Sequence, residues 1–211
     1  PGEQAMPGRW LGSFNGVTNF DICNDGVTLV ADRSERTRVE YVYFDLFVMD
    51  IGTGKQRRLT HGARIREPAC EPDGRWAAGV QITHGKTRLV RVDLASGDST
   101  VLFEPGSLEQ VAFPTVSRDG RHVIATRIAH QSRDLIAVDV ETGHVRRLTH
   151  DWALELQPRF SPDGKWLVYS SDRSGIYDVY AQAWPPPAEP SPIEPRRLTR
   201  VIGGALEPVV T

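Results

Sequence analysis

Asp-Gly pairs return along this chain at near-constant intervals, at Asp25-Gly26, Asp73-Gly74, Asp119-Gly120 and Asp163-Gly164. Such a recurrence limits the fold more than any local motif, because each unit must then be one supersecondary structure that repeats. A second marker keeps phase with the first. Asp50 to Gly54, Asp93 to Gly97 and Asp139 to Gly143 share the pattern Asp-apolar-x-Ser/Thr-Gly, and each is followed at the same distance by a leucine, Leu59, Leu102 and Leu148. Leu11 and Leu198 extend that series at either end. The units run approximately 12–60, 61–103, 104–149 and 150–199. Residues 1–11 read as the end of a preceding unit. Residues 200–211 open a further one, where Glu207-Pro208-Val209-Val210 repeats Glu67-Pro68-Ala69-Cys70.

Between the markers the apolar residues follow strand period. Phe47–Met49, Leu89–Val92, Leu135–Val138 and Trp166–Ser170 are short, β-branched or aromatic, and bounded by Gly, Pro, Asp or Ser. No stretch sustains a 3.6-residue period. Asp-Gly between apolar runs supplies the positive φ of a tight hairpin, so each unit holds about four short strands. Four strands in a unit of this length describe one blade of a β-propeller, whose sheet buries both faces only when neighbours stack on it. The expected fold class is all-β, with four four-stranded antiparallel blades and a partial further one within a larger ring. Ile22, Cys70, Val116 and Phe160, three residues before each turn aspartate, are expected as equivalent buried positions between blades.

Composition narrows the function. The 25 basic and 27 acidic side chains nearly cancel to a net charge of -2 and form no block of one sign, so nothing points to a nucleic acid. No apolar stretch reaches the ~18 residues that would span a bilayer, and no basic-then-apolar leader opens the chain. Cys23 and Cys70 are the only cysteines. They allow at most one bridge, and the reading favoured from sequence is two small buried strand residues rather than a bridge or a metal site.

The residues from Pro158 to Gly175, with Ser161-Pro162-Asp163-Gly164 at their centre, followed by Tyr177-Asp178-Val179-Tyr180 and Arg196-Arg197-Leu198-Thr199, resemble the TolB-type, WD-like β-propeller repeat. Glu71-Pro72-Asp73-Gly74 and Ser117-Arg118-Asp119-Gly120 are weaker copies, and Cys23-Asn24-Asp25-Gly26 keeps only the turn. The resemblance implies a periplasmic or cell-envelope protein with a ring of about six blades, so that both ends of this chain would be cuts through something longer. It is most similar to propellers fused to outer-membrane barrels of the surface-antigen type. The alternative it leaves open is the gating propeller of a prolyl oligopeptidase-like serine peptidase whose catalytic domain lies elsewhere.

Loop lengths suggest where function resides. The Asp-Gly and Ser/Thr-Gly turns open on one face, at constant length within blades one to three, whereas the connections on the other face vary, which is where binding loops collect. That face is expected to carry residues 32–41, 61–66, 82–86, 104–111, 129–133 and 150–156, with Arg33, Arg36, Tyr41, His61, Arg64, His84, Lys86, His130, Arg133, His150 and Arg173 as the candidate binding residues. Asp32-Arg33 and Asp172-Arg173 are expected as loop-fixing ion pairs, and Pro185–Pro195 as a polyproline-like excursion on the opposite face. Separate blades hold the histidines apart, so no metal and no cofactor is assigned. No Gly-x-Ser-x-Gly, His-Glu-x-x-His, phosphate loop or Cys-x-x-Cys occurs. The recurring aspartates belong to turns. A non-catalytic module is expected, contacting a protein or peptide partner or flanking domains of its own polypeptide, without nucleic acid and without direct membrane insertion.

Overall fold

The computed structural model describes residues 16–23, 25–38, 41–186 and 194–210, with the side chains of 35–38 and 41–42 excepted. All regular structure among them is strand. The first sheet joins β1 (Val17–Ile22), β2 (Thr28–Arg38), β3 (Tyr41–Asp50) and β4 (Gln56–Arg58). The second joins β5 (Ile65–Cys70), β6 (Trp76–Thr83), β7 (Lys86–Asp93) and β8 (Ser99–Phe103). The third holds β9 (Glu109–Val116), β10 (His122–Ala129), β11 (Ser132–Asp139) and β12 (Val145–Arg147). The fourth holds β13 (Glu155–Phe160), β14 (Trp166–Ser171), β15 (Asp178–Ala183) and β16 (Arg196–Arg197). Every sheet is an antiparallel meander in sequence order, the blade expected from the repeat. Leu11 and most of the Pro185–Pro195 stretch lie outside the described residues.

Alternation along each strand builds the core. In β2, Leu29 and Ala31 face one side with Met49, while Val30 faces the next sheet and packs with Leu46, Ile65, Ala77 and Val90. In β10, Val123 and Ala125 meet Trp76, Ala78 and Leu89, whereas Ile124 turns to Leu167, Tyr169 and Tyr180. Adjacent side chains of one strand thus feed two different interfaces, as the two-residue period of a strand requires. The first strands of successive blades also pack on one another, β1 on β5, β5 on β9 and β9 on β13. They form the inner wall.

The Asp-Gly pairs lie in the turns between the first and second strands of their blades, as expected. In each, the glycine N–H bonds to the carbonyl three residues before it, from Gly26 to Cys23 through Gly164 to Ser161. The four glycines have φ between 66° and 69°. Asp119 and Asp163 each accept the Ser117 or Ser161 hydroxyl and a backbone N–H, which fastens the turn.

Two expectations need correction. Of the four positions before the turns, Val116 is buried and Cys70 and Phe160 are half-buried, but Ile22 is 48% exposed. Among the described residues no sheet covers the leading side of β1, so that position has nothing to pack on. The cysteines are not two inert core residues: Cys23 and Cys70 form a disulfide between blades one and two, with Cα atoms 5.1 Å apart. Cys23 stands where Ser117 and Ser161 stand in their turns, and Cys70 where Val116 and Phe160 do. Neighbouring inner strands bring the two different positions side by side.

Candidate functional site

The inner strands carry a feature that hydrophobic patterning did not reveal. Glu67, Phe113, Gln157 and Glu207 each precede a proline and adopt φ of 53–55°. The ladders of β5, β9 and β13 slip at these places. Proline is tolerated there because the strand is an edge facing the channel, and the bulge turns a backbone N–H sideways. The preceding blade accepts that bond. Glu67 donates its N–H to Asp32, Phe113 to Glu67 and Glu207 to Gln157, at 2.8, 2.7 and 2.8 Å. The recurring x-Pro dipeptide was the available signal. Along this wall lie two adjoining cavities of about 300 and 400 Å³, sharing Phe20, Pro68 and Arg159.

The recurrent Arg-Leu-Thr at the end of a blade has a partner that sequence reading overlooked, a buried aspartate in the third strand. Asp45 accepts from Arg58, from the Thr60 hydroxyl and from the N–H groups of Gly62 and Ala63. Asp178 accepts from Arg197, the Thr199 and Ser174 hydroxyls and Val201 N–H. Burial raises the carboxyl of Asp178, yet these bonds outweigh it and hold its pKa below the usual range. Each aspartate ties its own fourth strand and the connection beyond it. These acids are occupied in holding loops.

The expected binding residues divide into two groups. His61, Arg64, His84, Lys86, His130 and His150 are exposed on the predicted face, with Arg64 lying 4.3 Å over the ring of Tyr43. His84 and His130 sit at the tips of the β6–β7 and β10–β11 turns with φ of 49° and 51°. The others are not free loop residues. The stretch from 32 to 38 continues β2, and Tyr41 opens β3. Arg33 is half-buried over Phe47, while the side chains of Arg36 and Tyr41 lie outside the described residues. Arg133 is half-buried at the start of β11, beside Leu154. Arg173 binds Glu155 and Asp151 at 2.9 and 3.2 Å and covers Tyr180. Neither expected Asp-Arg neighbour pair forms the loop tie: Asp32 accepts from Thr18, Asn19 and Glu67, and Asp172 from Leu154 N–H. Three connections on the same face end in apolar side chains that sequence reading passed over, Leu108 (78% exposed), Trp152 (101%) and Ile202 (100%). Among the described residues no group of three His, Cys, Asp or Glu side chains is placed to hold a metal.

A family model for the TolB beta propeller domain matches residues 30–186, most of the chain. The chain belongs to the TolB β-propeller family. Among solved structures, this TolB-type chain is similar to TolB from Acinetobacter baumannii, at 20% identity and a TM-score of 0.69 over 87% of this chain and 43% of that one. A putative TolB from Agrobacterium tumefaciens aligns at 19% identity and a TM-score of 0.75, over 92% of this chain and 65% of the other. A puromycin-hydrolyzing peptidase from Mycobacterium tuberculosis aligns at 15% identity and 0.65, over 89% of this chain and 32% of the peptidase. The TolB-type chain therefore spans less than two thirds of each of these proteins.

Within this TolB-type propeller the turn aspartates are spoken for. Asp50, Asp93 and Asp139 accept backbone N–H bonds from Thr53, Ser96 and Thr142, and for Asp50 and Asp139 the threonine hydroxyl as well, which lowers their pKa values. A general acid needs the opposite environment. No helix among the described residues is long and apolar enough to cross a membrane, which says nothing of a β-barrel.

Proposed function

We propose that this TolB-type propeller segment is a non-catalytic binding and scaffold module of a bacterial cell envelope, and that it meets a protein or peptide on the face of the inter-blade connections. The observation that supports this most is that Leu108, Trp152 and Ile202, and with them Arg64, His84, Lys86 and His130, are all exposed on connections of one face. Exposed apolar anchors among polar and basic side chains are the composition of a protein-binding surface. On the opposite face, the Ser/Thr-Gly turns of blades one to three are short, of fixed length and closed by their own aspartates. The Cys23–Cys70 bridge supports an oxidising compartment such as the periplasm.

The test is capture from an envelope extract, with bound proteins identified and then remade pure. Trp152→Ser and Arg64→Glu should each weaken binding of the purified partner at least about tenfold, the loss of a good anchor. Lys55→Glu and Arg121→Glu, on the opposite face, should leave it unchanged. Binding lost only through Lys55 and Arg121 would reject the chosen face. The fold likeness to the Mycobacterium tuberculosis peptidase supports a second reading, a gating propeller. A nucleophile elbow elsewhere in the same polypeptide would establish that one instead.

A further inference from the structure

Blades one and four fasten the connection after the fourth strand in the same way, and blade three does not. In blades one and four the threonine hydroxyl points to the third-strand aspartate, Thr60 to Asp45 and Thr199 to Asp178, both at 2.8 Å. In blade three Asp134 accepts from Arg147 through Oδ1, but its Oδ2 is buried without a hydrogen-bond partner. The hydroxyl of Thr149 has gone elsewhere. It donates to Glu155 of the next blade at 3.0 Å. Glu155 itself is out of pattern: blades two and three carry the buried Ile65 and Val111 at its place. The carboxylate is fully buried, and it also accepts from Arg173 at 2.9 Å and from the Ser171 hydroxyl at 3.3 Å.

We propose that Thr149, Glu155 and Arg173 form a proton-operated latch on the connection 150–154, which presents Trp152 on the binding face. Thr149 has two acceptors and one hydroxyl proton. With Glu155 ionised, Thr149 and Arg173 both serve Glu155, and Arg173 also holds Asp151, so the connection is fastened to blade four. One proton from solvent neutralises Glu155 and dissolves its ion pair with Arg173. Thr149 then turns to the unpartnered Oδ2 of Asp134, the arrangement already present in blades one and four. The connection is refastened to blade three, and Trp152 at its tip moves with it. A switch needs two discrete, nearly balanced arrangements, and the sister blades display the second one.

The charges around Glu155 favour this. Burial, then the neighbouring carboxylate of Asp151, push its pKa up to about 7, against the opposing pull of Thr149 and Arg173. From β14 the Tyr169 phenol faces it, itself raised by burial and neutral throughout, and Tyr180 of β15 lies under Arg173. Asp172 is engaged with Leu154 N–H. His150 also lies in the connection, bonded to the Arg147 carbonyl at 3.2 Å, and any test must separate it from Glu155.

The latch is read in the free protein, so its failure is distinct from failure of the binding reading on which its role rests. The whole chain is labelled with 5-fluorotryptophan, and the Trp152 resonance is assigned by its loss in Trp152→Phe. Between roughly pH 5 and 9 that resonance should titrate once, with a midpoint near 7, while Trp166 stays still. Glu155→Gln should abolish the titration. Glu155→Ile restores the residue of blade two, and should do the same if the glutamine variant folds poorly. His150→Gln should retain it. A Trp152 resonance that does not titrate, titration that survives both Glu155 variants, or titration lost in His150→Gln would overturn the proposal.

Discussion

A carboxylate in this molecule does one of two opposite things to stability, depending on what surrounds it. Asp50, Asp93 and Asp139 have pKa values lowered chiefly by backbone N–H bonds, so their stabilisation is present above the ordinary value of 3.8 and is lost as pH falls through the lowered one. Glu155 runs the other way. Its folded pKa of about 7 lies above the ordinary 4.5, so the folded state binds the extra proton, and stability declines as pH rises from 4.5 towards 7. That interval corresponds to an effect on the order of 3 kcal/mol. Thermal unfolding should show Tm rising as pH is lowered from 7 to about 5, and the rise should vanish in Glu155→Gln. A Tm equally pH-dependent in that variant would assign the effect to other groups. Asp45 makes a sharper case. Removing it strands the Thr60 hydroxyl, the Gly62 and Ala63 N–H groups and part of Arg58, so Asp45→Ala should cost about 3–5 kcal/mol by denaturant titration, as for a broken buried pair. Asp50→Ala, at an exposed turn, should cost much less.

At the scale of the element, the turns were legible and the inter-blade ties were not. Asp-Gly and Asp-x-x-Thr-Gly are local chemistry, satisfied within a few residues, and their spacing alone gave the four meanders. The bond from Phe113 N–H to Glu67 links residues a whole blade apart, and the Asp-Arg-Thr tie joins the third strand to the end of the fourth. Both join groups that lie far apart in sequence, the Asp45 tie running from within β3 to Arg58 at the end of β4 and to Thr60 beyond it, and neither leaves a hydrophobic period to read. The candidate face was legible as loops of varying length, but Arg33 and Arg173 were taken for loop charges because exposure is set by neighbouring sheets, not by charge. Gly97 shows how closely elements meet. It has φ of +82°, and a Cβ placed there would lie 2.2 Å from the Leu59 carbonyl oxygen of the preceding blade. Gly97→Ala therefore combines left-handed strain with a backbone clash and should destabilise by at least about 2 kcal/mol. The shift in Tm measures it. Gly62→Ala, with φ of +68° and open space around the Cβ, should lose less.

The blades form a row in which each sheet contacts its neighbours, so whole-molecule stability is approximately the sum of blade and interface contributions. Among the described residues, blade one has a leading strand that lies open, with Phe20 62% and Ile22 48% exposed. Its hold on the row includes an apolar interface, inner-wall hydrogen bonds, the bonds of Asp45 to Gly62 and Ala63 and of Arg57 to the Leu94 carbonyl, and the Cys23–Cys70 bridge. A cross-link closing a separation of 47 residues removes unfolded-state entropy worth about 2–4 kcal/mol. Because the bridge ties only blades one and two, that stabilisation should not spread evenly. In the double variant Cys23→Ser, Cys70→Ser, hydrogen exchange should speed up throughout β1–β4 and remain near the wild-type rate in β9–β16. Wild-type protein under reducing conditions should behave alike. Uniform acceleration across all four sheets would mean that the propeller unfolds as one cooperative unit, and that the bridge stabilises the whole row rather than the docking of its first blade.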